Sequence, residues 1–263
     1  GRVPAPVMED YTPLWEQDAQ HWNLMWRDPI NAHRVSLGLA PVQDARGYVL
    51  TQCPWLAADA VLAPWPDGTN DTVVQTGAWL LHDARPLTPD IEAFLAAGEP
   101  PVYFGFGSIR APEGFASTIV TAARATGRRA VVSRGWAELA LPDETADCLL
   151  IDEVNQQALF PRVATVVHHG GAGTTTAAAR AGTPQVIIPQ IYDQPYWARR
   201  VADLGIGVAH DGPVATSSTL AAALNSALAN DVRAQAAIVG AQLPADGAAR
   251  AAARLIDLVS HRA

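Results

Sequence analysis

The apolar run Val163-Ala-Thr-Val-Val ends in His168-His169-Gly170-Gly171-Ala172-Gly173-Thr174. Glycines at 170, 171 and 173 let a backbone approach an anion closely. The N–H groups of a helix starting there would point at that anion, with the helix dipole behind them. Each such contact is worth roughly 0.3–1 kcal/mol when exposed and up to about 2 when partly buried. A pyrophosphate is the guest this pattern suits. His169 at the helix start can donate to a phosphate oxygen, with the backbone of Gly171, Ala172, Gly173 and Thr174 beside it. His168 points the opposite way along the strand and reads as packed interior. A P-loop needs a lysine after its second glycine, and the chain has no lysine. A dinucleotide fingerprint needs a third glycine where Thr-Thr-Thr stands, and an acid on a following strand that is absent here.

Other segments end apolar runs in ways that would border the same crevice. Pro184–Ile188 leads to Asp193-Gln194-Pro195. A carboxylate beside an amide supplies acceptors and donors suited to sugar hydroxyls, while Asp before Gln-Pro also suits a helix N-cap. Val102–Phe106 leads to Gly107-Ser108, where Ser108 either binds phosphate or caps a turn. Ser133-Arg134-Gly135-Trp136 and Asp152-Glu153-Val154-Asn155-Gln156 close two further runs. A nucleobase fits between them, with Trp136 either stacking on it or belonging to the core.

The elements that must position these residues alternate from Pro101 onward. Strands are predicted at 102–106, 129–133, 148–151, 163–168, 185–188 and 207–209. Helices are predicted at 114–126, 156–160, 174–181, 194–203, 217–229, 231–240 and 246–261. This βαβ order predicts a doubly wound α/β fold, a Rossmann-like parallel sheet covered on both faces. Upstream the texture differs. Residues 1 to about 80 hold six of the eight tryptophans. A helix is expected there from Pro13 to a stop at Asp28-Pro29, a second over 30–39, and short strands at 48–51, 61–62 and 73–75. The proline-rich stretch 81–101, around a short helix at 90–97, reads as a linker.

At 263 residues and 49% hydrophobic content, the chain can bury one or two sizeable cores. A net charge of −8 without a basic run argues against a nucleic-acid partner. No apolar run reaches the roughly 18 residues of a membrane span. Cytoplasmic placement with at most peripheral membrane contact is therefore the expectation. Cys53 and Cys148 lie far apart without metal-ligand spacing, which favours reduced thiols.

Taken together, these segments resemble the C-terminal donor domain of the glycopeptide-antibiotic glycosyltransferases, the vancomycin and teicoplanin class of the GT-B fold. The resemblance rests on His168–Thr174 with Asp193–Tyr196, and is narrowed by Thr76–Trp79, Ser133–Ala137 and Gly205–Pro213. It implies inverting transfer of a sugar from a UDP- or dTDP-sugar to a hydroxyl of a heptapeptide aglycone. By this resemblance His169 and the backbone of 171–174 hold the diphosphate, Asp193 and Gln194 the sugar, and Val154 with Arg134–Trp136 the base. No cofactor is implied. The sequence has no Asp-x-Asp pair for a divalent metal, so helix terminus and His169 are expected to stabilise the leaving diphosphate. Residues 1–80 then read as the final part of an N-terminal acceptor domain whose catalytic base lies outside this sequence. Residues 102–240 read as the donor domain, and 241–263 as a helix returning toward the acceptor domain. A non-catalytic partner that binds a nucleotide sugar, and a sugar-nucleotide epimerase or hydrolase on the same scaffold, are the alternatives. The latter should carry further acids and bases in the crevice, and none cluster beyond Asp193.

Overall fold

The computed structural model describes residues 12–66, 71–107, 114–135, 141 and 145–261. The chain divides into two compact units, Gly1–Leu56 with Pro66–Thr76, and Ala57–Trp65 with Gly77–Ala263.

In the first unit, helix α1 (Thr12–Ser36) runs through Pro29, where the sequence predicts a stop and a second helix. Proline removes one helical hydrogen bond, and side-chain bonds beyond it offset the loss. Asn31 Nδ2 donates to the Val42 carbonyl at 2.9 Å, and Asn31 Oδ1 accepts from the Val42 N–H at 2.8 Å. Helix α2 (Ala45–Leu50) occupies most of the stretch expected as a strand at 48–51. Its N-cap Asp44 accepts from the Gly47 N–H, and Asn23 of α1 accepts from the Ala45 N–H at 2.7 Å. That capping overrides the strand preference of Tyr48-Val49. Strands β1 (Trp55–Leu56) and β2 (Val74–Gln75) pair in parallel.

The second unit follows the predicted alternation, with element ends shifted by about two residues at most. In chain order it holds α3 (Pro89–Ala96), β3 (Val102–Gly105), α4 (Phe115–Ala125), β4 (Ala130–Ser133), β5 (Cys148–Ile151) and α5 (Gln156–Leu159). There follow β6 (Thr165–His168), α6 (Ala172–Arg180), β7 (Gln185–Ile187), α7 (Gln194–Asp203), β8 (Gly207–Ala209), α8 (Ser217–Ala227), α9 (Asn230–Gln242) and α10 (Gly247–Ser260). The stretch 61–62 is a turn rather than a strand. Its carbonyls accept from Arg200 of α7, at 3.1 Å for Val61 and 2.7 Å for Leu62.

The sheet order is β5-β4-β3-β6-β7-β8, every pair parallel. Alternating side chains give it two apolar faces. On one, Phe104, Val132, Val167 and Val186 pack with Ile119, Leu220 and Leu224 from α4 and α8. On the other, Tyr103, Val131 and Val166 meet Ile91 and Leu95 of α3, Leu159, Phe160 and Ala178. The chain runs outward from β3 to β5, then returns to β6 on β3's other side and runs outward again. The carboxyl edge between β3 and β6 is therefore the switch point at which a parallel sheet opens a crevice. Among the described residues no helix is long and apolar enough to cross a membrane.

Candidate functional site

At the switch point Gly105 of β3 pairs with His168 of β6. His168 is fully buried. Its Nδ1 accepts from the Gly170 N–H at 3.1 Å, so its Nε2 carries the proton and donates to Gln185 Oε1 at 2.9 Å. Gln185 Nε2 in turn donates to the Thr175 carbonyl at 3.3 Å. The glycine turn is thus tied to β7 and to the first turns of α6. Burial pushes the His168 pKa down to about 3, against the opposing effect of the Gln185 bond.

His169 faces the other way and is half-buried. A Cβ on Gly171 would lie 2.6 Å from its Nε2, and one on Gly107 would lie 3.1 Å from its Cε1. The imidazole therefore sits between the turn after β3 and the turn before α6, and both glycines make room for it. Gly171 was expected to serve an approaching anion; the space its missing side chain leaves is filled by His169. Among the described residues Gly173 has nothing within 4 Å of a would-be Cβ. Burial lowers the His169 pKa, countered by the negative charge of Asp193. Among the described residues its Nδ1 is buried without a hydrogen-bond partner, a state that costs roughly 1–3 kcal/mol for a polar group. The first turn of α6 starts at N-cap Gly171 with no side-chain cap, so its N–H groups are directed at the same place.

The segment after β7 brings Asp193 and Gln194 to this edge. Asp193 is no N-cap in the side-chain sense, because its carboxylate caps no backbone N–H. Its Oδ2 accepts instead from Trp197 Nε1 at 2.8 Å, one helical turn on. Gln194 is buried, and its Oε1 accepts from the Gln190 and Ile191 N–H groups at 2.8 and 3.0 Å. Its carbonyl therefore holds the loop, and the amide nitrogen is the end that can serve a ligand.

Beside the His169 turn lies a cavity of about 470 Å³, bordered by Gly105, Gly107, Ser133, Arg134, Val154 and Thr174 among others. It brings together Arg134, Val154 and Thr174. Arg134 Nε lies 3.2 Å from Asp152 Oδ1 at its rim. Ser108 and Trp136 lie outside the described residues. Asp152 and Gln156 line it too, in the segment that the sequence places beside the crevice, whereas sequence reasoning did not single out Tyr103. The signal for Tyr103 was its alternation with Gly105 on one strand face.

Residues 134–256 match a family model described as erythromycin biosynthesis protein CIII-like, C-terminal domain. Over 96% of its length the chain is 54% identical to glycosyltransferase GtfE of Amycolatopsis orientalis, covering 61% of that protein. It is 53% identical over 95% of its length to the vancomycin aglycone glucosyltransferase of the same organism, again covering 61%. In fold it is similar to the solved glycotransferase of kitacinnamycin, with a TM-score of 0.72 at 24% identity, covering 97% of this chain and 68% of that one. The chain thus spans about three fifths of the length of the curated relatives it matches. With the switch-point crevice in place, the chain has the fold of the GT-B glycosyltransferases and is similar along nearly its whole length to three fifths of the glycopeptide-antibiotic glycosyltransferases.

Proposed function

We propose that this chain carries the donor site of an inverting, metal-independent glycosyltransferase that moves a sugar from a UDP- or dTDP-sugar to a hydroxyl of a glycopeptide aglycone in the cytoplasm. One observation carries the reading. A half-buried His169 lies beside the uncapped first turn of α6 at the switch point of the sheet. The first-turn N–H groups and the imidazole would both donate to a diphosphate as it develops charge when the sugar leaves, and a preorganised set of this kind stabilises that charge without a metal ion. The backbone of Gly171 to Thr174 would hold the diphosphate with His169. Asp193 and the Gln194 amide would take the sugar, Arg134 and Val154 with Trp136 the base, and Ser108 would bind phosphate. The aglycone as acceptor is supported by the name of the vancomycin aglycone glucosyltransferase. Residues 1–80 would belong to the acceptor side and 81–101 would connect it to the donor domain at 102–240.

Calorimetric titration with UDP and dTDP in the presence of chelator tests the reading. The wild-type chain should bind one of them with the chelator present. His169→Ala should weaken that binding about 10- to 100-fold, the loss expected when a hydrogen bond to a charged group worth roughly 1.5–3 kcal/mol is deleted. Binding that vanishes with chelator, or that His169→Ala leaves unchanged, contradicts the proposal.

Gly173→Ala separates the anion site from the fold. The added methyl meets nothing among the described residues, and alanine is favoured over glycine within a helix by up to about 1 kcal/mol. Thermal stability should therefore hold or rise while UDP or dTDP affinity drops about tenfold or more, because the methyl projects into the space assigned to the diphosphate. Equal affinity in this variant would place the anion elsewhere.

A further inference from the structure

We propose that Tyr103 is a positioning residue for the nucleoside half of the donor, acting through Ser133 and Gln156; the inference rests on the donor-site reading above. Tyr103 lies on β3, only 3% exposed, with its ring edge-on to Phe160 at a centroid distance of 5.0 Å. As a packing residue it needs no hydroxyl. Yet the phenol stands beside the side chains of Ser133, at the end of β4, and Gln156, the first residue of α5, close enough for both to act on its proton. The hydroxyl reaches this far toward the carboxyl edge because residue 105, two positions on and on the same face, is glycine: a Cβ there would stand 2.4 Å from Tyr103 Oη.

Tyr103, Ser133 and Gln156 all border the cavity beside Val154 and Thr174. One hydroxyl thus stands beside two side chains from separate segments, all three residues on the wall of the same cavity. A phenol gives one donor and accepts in return, so bonding to it would fix which way each partner presents its remaining polar atoms. Burial also pushes the phenol pKa up, keeping the proton in place across the physiological range. A ribose or a nucleobase edge recognised by Ser133 and Gln156 would meet them already oriented, and preorganised groups bind more tightly than groups that must be ordered on binding.

The test compares Tyr103→Phe with the wild-type chain by calorimetry, using UDP, dTDP and inorganic pyrophosphate. The variant keeps the ring and its contact with Phe160. Affinity for the nucleoside diphosphate should drop about tenfold while pyrophosphate affinity stays within about twofold, since hydrogen bonds of this kind contribute roughly 0.5–1.5 kcal/mol each. Gln156→Ala should weaken nucleotide binding by itself, and adding Tyr103→Phe to it should cost less than the same change in the wild type, as expected of coupled groups. Undiminished nucleotide binding by Tyr103→Phe overturns the inference. So does an equal loss of nucleotide and pyrophosphate, which would mark the hydroxyl as general support for the edge. A wild-type chain that binds neither UDP nor dTDP overturns the donor reading and this inference with it.

Discussion

Gly170→Ala is expected to destabilise the protein by roughly 2–5 kcal/mol and to abolish donor binding. Gly170 adopts φ +92°, a region L-residues rarely enter. A Cβ there would lie 2.6 Å from Ile187 Cγ2, 3.2 Å from the Gln194 carbonyl oxygen and 3.3 Å from Gln194 Cβ. Ile187 is fully buried on β7 and Gln194 nearly so, so neither has room to retreat. Backbone strain and overpacking therefore add to each other. The donor site suffers directly, because Gly170 donates its N–H to His168 and the added methyl would press on Gln194, which pins the Gln190–Ile191 loop. Urea unfolding would read the loss in stability, and titration with UDP or dTDP the loss in binding. The comparison with Gly173→Ala is the informative one: the same chemical change three residues on, where space is open, should leave the fold intact. A Gly170→Ala protein within about 0.5 kcal/mol of wild type would mean that this turn is far softer than its contacts indicate.

The parallel sheet was legible because its strands are buried on both faces and read as short apolar runs between glycine- and helix-rich segments. The difference between His168 and His169 was legible in part: His168 is buried in the sheet, while His169 is only half-buried, between the turns after β3 and before α6. What sequence could not show were partners far apart in the chain. Pro29 looked like a stop because the Asn31–Val42 bonds that carry α1 past it are invisible to a local pattern. Tyr48-Val49-Leu50 looked like a strand because the Asp44 cap and its Asn23 contact compete with intrinsic preference. Asp193 looked like an N-cap by position, yet the indole of Trp197 takes up its carboxylate. The carbonyl of Gln194 was spent on two loop N–H groups. Tyr103 hid in plain view: within Val-Tyr-Phe-Gly it reads as one more core aromatic, and only the contact of its hydroxyl with Gly105 shows where it reaches.

Acidification should remove stability from this fold well above the carboxylate range, and His168 is the chief reason. Its native pKa is lowered to about 3, mainly by burial, while an unfolded histidine titrates near about 6.5. The unfolded chain therefore binds a proton in this interval that the native state refuses. For a group depressed in this way, stability is fully present above about pH 6.5 and falls as pH drops toward 3, by about 1.4 kcal/mol per pH unit for one proton. The partially depressed His169 adds a smaller contribution of the same sign. Between about pH 6.5 and 5 most carboxylates remain ionised, so the histidine slope can be read there from urea unfolding at closely spaced pH values. His168→Gln keeps an amide able to face Gln185 and the Gly170 N–H, but it cannot titrate. It should lower stability at pH 7, where the imidazole fits its two partners, and flatten the slope below pH 6.5 by about one proton. If the variant loses stability with acid as steeply as the wild type, His168 is not the group being protonated. The glycine turn would then have to be held by something other than a neutral imidazole.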